Sequence, residues 1–171
     1  MSQSPTVSPV VRIARESDLP AITRIYNEGI EDRMATLEED TKDLEHLKRW
    51  YHSRNPRYQV IALENQQKEI LGWASLNPFH SRCCYDGVAD LSVYLAREAR
   101  GKGYGKLLLQ GLEEVAKKNR FSKLVLTTFA DNIPGMKLYK RQGFREVGTY
   151  YRQGMLDGRW VDTTIMEKLL D

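Results

Sequence analysis

Residues 89–118 read ADLSVYLAREARGKGYGKLLLQGLEEVAKK, and the order of features in that stretch decides the fold. From Asp90 to Leu95 polar and apolar residues alternate, with Leu91, Val93 and Leu95 on one side and Asp90, Ser92 and Tyr94 on the other. A period of two predicts a strand with one face in a core and the other lining something polar. Arg100-Gly-Lys-Gly-Tyr-Gly105 interrupts the pattern, after which Leu108, Leu112, Val115 and Ala116 recur at helical spacing. Glycines at alternate positions let the backbone turn tightly with its N–H groups pointing inward. At a helix N-terminus such amides, with the helix dipole, make an anion site. Arg97, Arg100, Lys102 and Lys106 crowd the turn, so a multiply charged anion such as a pyrophosphate is expected.

Two familiar phosphate patterns do not fit. A Walker A loop needs Ser or Thr after Gly-Lys, and Gly105-Lys106 is followed by Leu107. A dinucleotide fingerprint needs G-x-G-x-x-G, whereas this turn is G-x-G-x-G with no second βαβ unit in the chain. An ordinary strand–helix connection with solvated basic residues is the remaining local reading. What fits is Arg100-x-x-Gly103-x-Gly105, and here the chain resembles the GNAT superfamily of acetyl-CoA-dependent N-acetyltransferases. In that family the motif cradles the CoA pyrophosphate. The resemblance therefore implies acetyl-CoA as co-substrate, held by Arg100, Gly101, Lys102, Gly103, Tyr104 and Gly105.

Outward from the turn, the chain reads as alternating short elements. Val10 to Arg15 predicts a first strand, and Ser17 offers a cap for a helix with the stripe Ile22, Ile25, Tyr26 and Ile30. A second helix is predicted from about Asp40 to Arg54, with Leu44, Leu47 and Tyr51 inward and Asn55-Pro56 at its end. Tyr58 to Leu63 and Ile70 to Leu76 read as a hairpin around the polar turn Glu64 to Glu69. Beyond the central helix come a strand at Phe121 to Thr128, a short helix at Asn132 to Gln142, and strands at Phe144 to Tyr151 and Trp160 to Met166 around Asp157-Gly158. This β-α-α-β-β-β-α-β-α-β-β order matches the GNAT fold over roughly residues 10–169. The expected architecture is α/β (α+β): a mixed sheet of six to seven strands, splayed at the fourth and fifth, flanked by about four helices. The resemblance implies that pantetheine enters the splay and pairs with backbone at Val93, Tyr94 and Leu95.

Composition bounds the rest. The chain has 171 residues, enough for a single domain over residues 10–171, with a loose polar tail over residues 1–9 that lacks a signal-peptide core. A net charge of +3 argues against general nucleic-acid or membrane binding, and no apolar run reaches the ~18 residues a spanning helix needs. The only cysteines, Cys83 and Cys84, are adjacent; Cα atoms ~3.8 Å apart would strain a bridge that prefers ~4.4–6.8 Å. A reduced, cytoplasmic protein is expected, with both cysteines as small buried hydrophobes. His46, His52 and His80 lack metal spacing and read as structural or surface residues, so no metal is expected. Trp50, Trp73 and Trp160 read as core or interface residues.

A second constellation is Asn132-x6-Tyr139-x3-Gly143-Phe144, which resembles the GNAT pattern after the fifth strand. Seven residues are two helical turns, so Asn132 and Tyr139 face one side. The resemblance implies that Asn132 bonds pantetheine and that the Tyr139 hydroxyl lies near the CoA sulfur. An attacking amine must lose a proton that it holds at pH 7, and a carboxylate in the cleft can take it. Asp90, on the polar strand face, is the candidate base. Tyr139 can donate to the leaving thiolate, and strand amides can stabilise the developing oxyanion.

A narrower resemblance is to the phosphinothricin acetyltransferase branch, which includes acetylases of methionine sulfone and sulfoximine. Its matching residues are Ile25-Tyr-Asn27, Ala35-Thr-Leu-Glu38, Ser81-Arg82-x-x-Tyr85, Ala89-Asp-x-Ser-Val-Tyr94 and Gly158-Arg-Trp160-Val-Asp162. The branch implies that Arg82 binds the acidic end of the substrate, as a guanidinium fork suits such oxygens, that Tyr85 lines the pocket, and that the protein is a homodimer. Asp90 replaces the branch's usual Glu, so a bridging water is expected, and Val161 stands where some members carry a His relay. The alternatives are a protein N-terminal or polyamine acetyltransferase, and a non-catalytic acyl-CoA sensor.

Overall fold

A computed structural model describes residues 7–171; the greater part of the expected N-terminal tail, residues 1–6, lies outside the described residues. The strands are β1 (Val10–Ile13), β2 (Val60–Glu64), β3 (Ile70–Pro78), β4 (Val88–Leu95), β5 (Lys123–Phe129), β6 (Arg145–Leu156) and β7 (Arg159–Leu169). They form one sheet in the order β1-β2-β3-β4-β5-β7-β6. Only β4 and β5 run parallel. The helices are α1 (Leu19–Glu31), α2 (Leu44–His52), α3 (Tyr104–Lys118) and α4 (Ile133–Arg141).

The parallel pair is what shapes the molecule. Its register runs Val88↔Lys123, Ala89↔Leu124 and Asp90↔Val125, and then stops. Both strands continue, β4 to Leu95 and β5 to Phe129, without pairing to each other. The expected splay therefore opens immediately beyond Asp90.

The alternation along β4 sorts its side chains into two cores. Leu91, Val93 and Leu95 pack with Leu108, Leu109 and Leu112 of α3, together with Leu138 and Tyr139 of α4. Tyr94 packs on the other face with Ile22 and Ile25 of α1, Leu47 of α2 and Trp73 of β3. Burial of these apolar faces supplies the main stabilisation.

Several local expectations are corrected. Ser17 does not cap α1; it lies inside a 3-10 turn, Glu16–Asp18. The Asp18 carboxylate closes that turn by accepting from Arg15 N at 2.7 Å and from Arg12 at 2.7 and 2.9 Å. Helix α2 starts later than Asp40 because the Asp43 carboxylate caps it, accepting from His46 N at 2.8 Å. Cys83 and Cys84 are free and exposed, not buried: they occupy a 3-10 turn, Cys83–Tyr85, in the connection from β3 to β4. Trp73 is in the core and Trp50 half-buried, but Trp160 is 58% exposed beside the β6–β7 turn and belongs to no core.

Candidate active site

The splay holds a cavity of about 250 Å³. One wall is β4 from Leu91 to Leu95, the opposite wall is β5 from Leu126 to Phe129, and Asn132, Leu138 and Tyr139 close it from α4. Of the residues singled out in the sequence, the fold brings Val93, Tyr94, Leu95, Arg100, Gly105, Asn132 and Tyr139 to this one cavity.

The glycine-rich turn meets the cavity at Arg100 and Gly105, whereas Lys102 and Tyr104 line a separate one beside Leu71. Gly101 and Gly103 have φ of +75° and +81°, the left-handed region that a side chain disfavours, and a Cβ on either would meet nothing. The constraint is therefore conformational, not steric. Gly103 is the N-cap of α3 and supplies no side-chain cap, so the first amides of α3 have no side-chain partner. Lys102 and Lys106 are exposed there and form no ion pair among the described residues. Arg97 and Arg100 are not free in the way the sequence suggests. Arg97 binds Asp32 at 2.9 Å and Glu31 at 3.3 Å, and Arg100 binds Asp32 at 2.6 Å. Those two guanidiniums, Arg97 first, hold the Asp32 carboxyl down to about 2. Asp32 lies at the end of α1, far away in sequence, which is why no local pattern announces the pairing.

Asn132 uses its side chain structurally: Oδ1 accepts from Gly135 N at 3.1 Å, capping α4, and Nδ2 donates to Thr128 Oγ1 at 3.0 Å. It lines the cavity while locked to both α4 and β5. Tyr139 is half-buried, and burial raises its pKa, so the phenol keeps its proton.

Asp90 occupies the apex where the strands part, outside the cavity wall itself. Burial raises its pKa from 3.8 to about 6, with the Asn77 amide and the Leu91 N–H pulling it back toward the ionised form. Asn77 is its partner in the β3–β4 register and also donates to Ser92 Oγ at 3.1 Å. The guanidinium of Arg54 reaches Asn77 Oδ1 at 3.3 Å and the carbonyl oxygens of Tyr58 and Leu76. Asn77, Ser92, Thr128, Asp32 and Arg54 were given no role at the site by the sequence. The signal for the first two was the alternating polar face of β3 and β4, Ser75–Asn77 against Asp90–Ser92.

Arg82 and Tyr85 do not line the cavity. Both are exposed in the β3–β4 connection, where Tyr85 packs on Phe79 and His80 with centroids at 5.5 and 5.1 Å. His46, His52 and His80 are all exposed, and among the described residues no three His, Cys, Asp or Glu side chains gather as a metal site. No helix among them is long and apolar enough to cross a membrane.

This geometry has clear relatives. Residues 11–165 match the family described as acetyltransferase (GNAT) domain. The chain is 32% identical over 166 residues to an L-methionine sulfoximine/L-methionine sulfone acetyltransferase of Pseudomonas aeruginosa, covering 96% of each. It superposes with a TM-score of 0.91 on a GNAT superfamily phosphinothricin acetyltransferase from Sinorhizobium meliloti in complex with acetyl-CoA, at 28% identity, covering 96% of this chain and 89% of the other. A ribosomal-protein-alanine N-acetyltransferase from Brucella melitensis superposes at 0.90 with 36% identity, covering 94% and 99%. Enzymes of this family use acetyl-CoA as co-substrate, and the Sinorhizobium meliloti protein was solved in complex with it. The chain is a member of the GNAT acetyltransferase family.

Proposed function

We propose that one domain, residues 10–171, transfers acetyl from acetyl-CoA to the amino group of a small amino-acid-like substrate of the phosphinothricin, methionine sulfone or methionine sulfoximine type. The observation that carries this reading is the parting of β4 and β5 immediately beyond a half-buried carboxylate, Asp90. The relatives' substrates supply the acceptor class.

In this reading the Gly101–Gly105 amides, Lys102 and Lys106 hold the pyrophosphate. Pantetheine lies along Val93–Leu95 beside Asn132. Asp90, ionised above about pH 6, takes the proton from the ammonium, directly or through water. The free amine attacks the thioester carbonyl, the C–S bond breaks, and the Tyr139 hydroxyl gives its proton to the departing thiolate. The two groups suit these roles because the alternation of β4 sets Asp90 on the face opposite Leu91 and Val93, the face on which Tyr139 packs. Arg82 takes the acidic end of the acceptor and Tyr85 borders it, both on the connection that leads into the strand bearing Asp90.

We assign the reaction to the cytoplasm, consistent with two free cysteines, and the active form to a homodimer. Tyr150, Tyr151, Met155 and Trp160, exposed on the edge hairpin β6–β7, are the surface that supports a second copy. The 36% identity to the ribosomal-protein-alanine enzyme favours one second reading, acetylation of a protein N-terminus.

Thiol release from acetyl-CoA against phosphinothricin, methionine sulfone, methionine sulfoximine, spermidine and an N-terminal peptide tests the reading. Turnover confined to the amino-acid analogues is expected. Turnover confined to the peptide transfers the assignment to the second reading, and acetyl-CoA binding with no turnover would leave a sensor.

A further inference from the structure

Asp32 stands where its own helix opposes a carboxylate. It caps the C-terminus of α1, the negative end of the helix dipole, directly after Glu31. Two arginines from the connection between β4 and α3 account for it. Arg97 grips the carboxylate as a fork, Nε donating to Oδ2 and NH2 to Oδ1, both at 2.9 Å. Oδ2 also accepts from Arg100 NH1 at 2.6 Å. The Arg97 backbone N–H donates to Glu28 Oε1 at 3.0 Å, which ties the same connection to α1 a second time.

The two arginines are engaged differently. Arg97 spends Nε and NH2 on Asp32, NH2 reaches Glu31 as well at 3.3 Å, and the residue is not part of the wall of the splay cavity. Arg100 does line that cavity, as do Met34 and Ala35, just beyond Asp32 in the chain. Only NH1 of Arg100 is engaged, by Asp32 and by Met34 Sδ at 3.4 Å. Its Nε and NH2 have no partner among the described residues. The Arg100 backbone is extended and leads directly into the left-handed Gly101.

We propose that Asp32 is a positioning residue of the donor site: by anchoring NH1 it holds Arg100 at the cavity with Nε–H and NH2 left as a fork for the diphosphate oxygens of acetyl-CoA. The inference rests on the reading that the glycine-rich turn takes that diphosphate. A guanidinium fork matches phosphate oxygens with two parallel N–H bonds. An unanchored arginine loses rotamer freedom when it closes on a ligand, whereas Asp32 has already ordered Arg100 in the folded protein.

The same carboxylate repels a diphosphate, and the balance of the two effects sets the sign. The repulsion acts through water at a half-exposed position and is screened over about 8 Å at physiological salt. The Arg97 fork already balances the carboxylate's charge. Orientation therefore prevails. Asp32 also stays ionised throughout the neutral range, because the two guanidiniums, Arg97 first, hold its carboxyl down to about 2.

Calorimetry on the full chain tests this with acetyl-CoA, and with acetyl-pantetheine, which ends short of the diphosphate, read by its displacement of acetyl-CoA. The variants are Asp32→Ala, Arg100→Ala and the two combined. Asp32→Asn keeps the shape and one acceptor oxygen, and it serves if Asp32→Ala does not fold. At about 0.15 M salt Asp32→Ala is expected to weaken acetyl-CoA about threefold to tenfold while acetyl-pantetheine stays within about twofold. In the Arg100→Ala background it should cost nothing further. Asp32→Asn should give a smaller loss of the same kind. Equal losses for both ligands would make Asp32 a residue that only shapes the wall. Tighter acetyl-CoA binding would make it a competitor for Arg100, and an undiminished cost without Arg100 would separate the two residues. Each of these overturns the proposal, while a wild-type preference for acetyl-CoA over acetyl-pantetheine keeps the reading of the turn. A wild type without that preference overturns both.

Discussion

The two faces of β4 are built in different ways. One face, Leu91, Val93 and Leu95, meets α3 and leads into the glycine-rich turn, all within thirty residues of chain. Its chemistry is carried by backbone: left-handed glycines, uncapped amides and an unpaired strand edge. The other face, Asp90, Ser92 and Tyr94, meets side chains brought from α1, α2 and β3. Its chemistry is carried by a carboxylate, an amide and four aromatic rings. Apart from Tyr139 and the Asp32–Arg100 pair, the donor half should therefore tolerate side-chain truncation but not backbone distortion, and the acceptor half the reverse.

The largest effect that sharpens this contrast is expected at Asp90. Asp90→Asn should lower kcat about 10²–10⁴-fold, the range for loss of a general base, while acetyl-CoA affinity by calorimetry stays within error. Loss of acetyl-CoA binding in that variant would merge the two halves that the fold separates.

Next in size is Gly103→Val. A β-branched residue at φ +81° costs about 1–2 kcal/mol, so acetyl-CoA should bind roughly tenfold more weakly with the acceptor KM unchanged. An unchanged affinity would mean that the turn does not need its left-handed glycine.

Asn77→Ala probes the acceptor half alone. Burial lifts the Asp90 carboxyl to about 6 and Asn77 opposes it, so the acidic limb of kcat/KM should move to higher pH in this variant. The same shift has a sign for stability. Between the ordinary 3.8 and about 6 the folded protein holds a proton that the unfolded chain has released, so stability falls as pH rises through that window. Asp90→Asn should flatten that slope in urea titrations at pH 4, 5 and 6.

The smallest effect is expected at Lys102→Ala. An exposed cation contributes about 1 kcal/mol or less, so acetyl-CoA affinity should fall under about fivefold at low salt and converge on wild type as salt screens the interaction.

The same division explains what could be read in the chain. The strand, turn and central helix were legible because period two, three glycines and period 3.6 follow one another without interruption. The Asp157-Gly158 hairpin and the cap at Asn132 are equally local. Features set by distant partners were not. Asp32 anchors Arg97 and Arg100 from 65 and 68 residues away, and nothing near either arginine says so. Asp18 displaces Ser17 as the residue that closes the turn before α1 because Arg12 and Arg15 N converge on its carboxylate. Cys83 and Cys84 look like core residues by type, yet both are exposed in the connection that carries them. Tyr26, Trp50, Trp73 and Tyr94 come from four separate elements, and only the folded sheet brings the four rings together.

The most direct test of the account is the pH dependence of kcat/KM for methionine sulfone from pH 5 to 9, in wild type and Asp90→Asn, with acetyl-CoA affinity measured alongside. The account predicts a wild-type rise with an apparent pKa near 6, its absence in the variant, and equal affinities. A limb near 6 that persists in Asp90→Asn would contradict it.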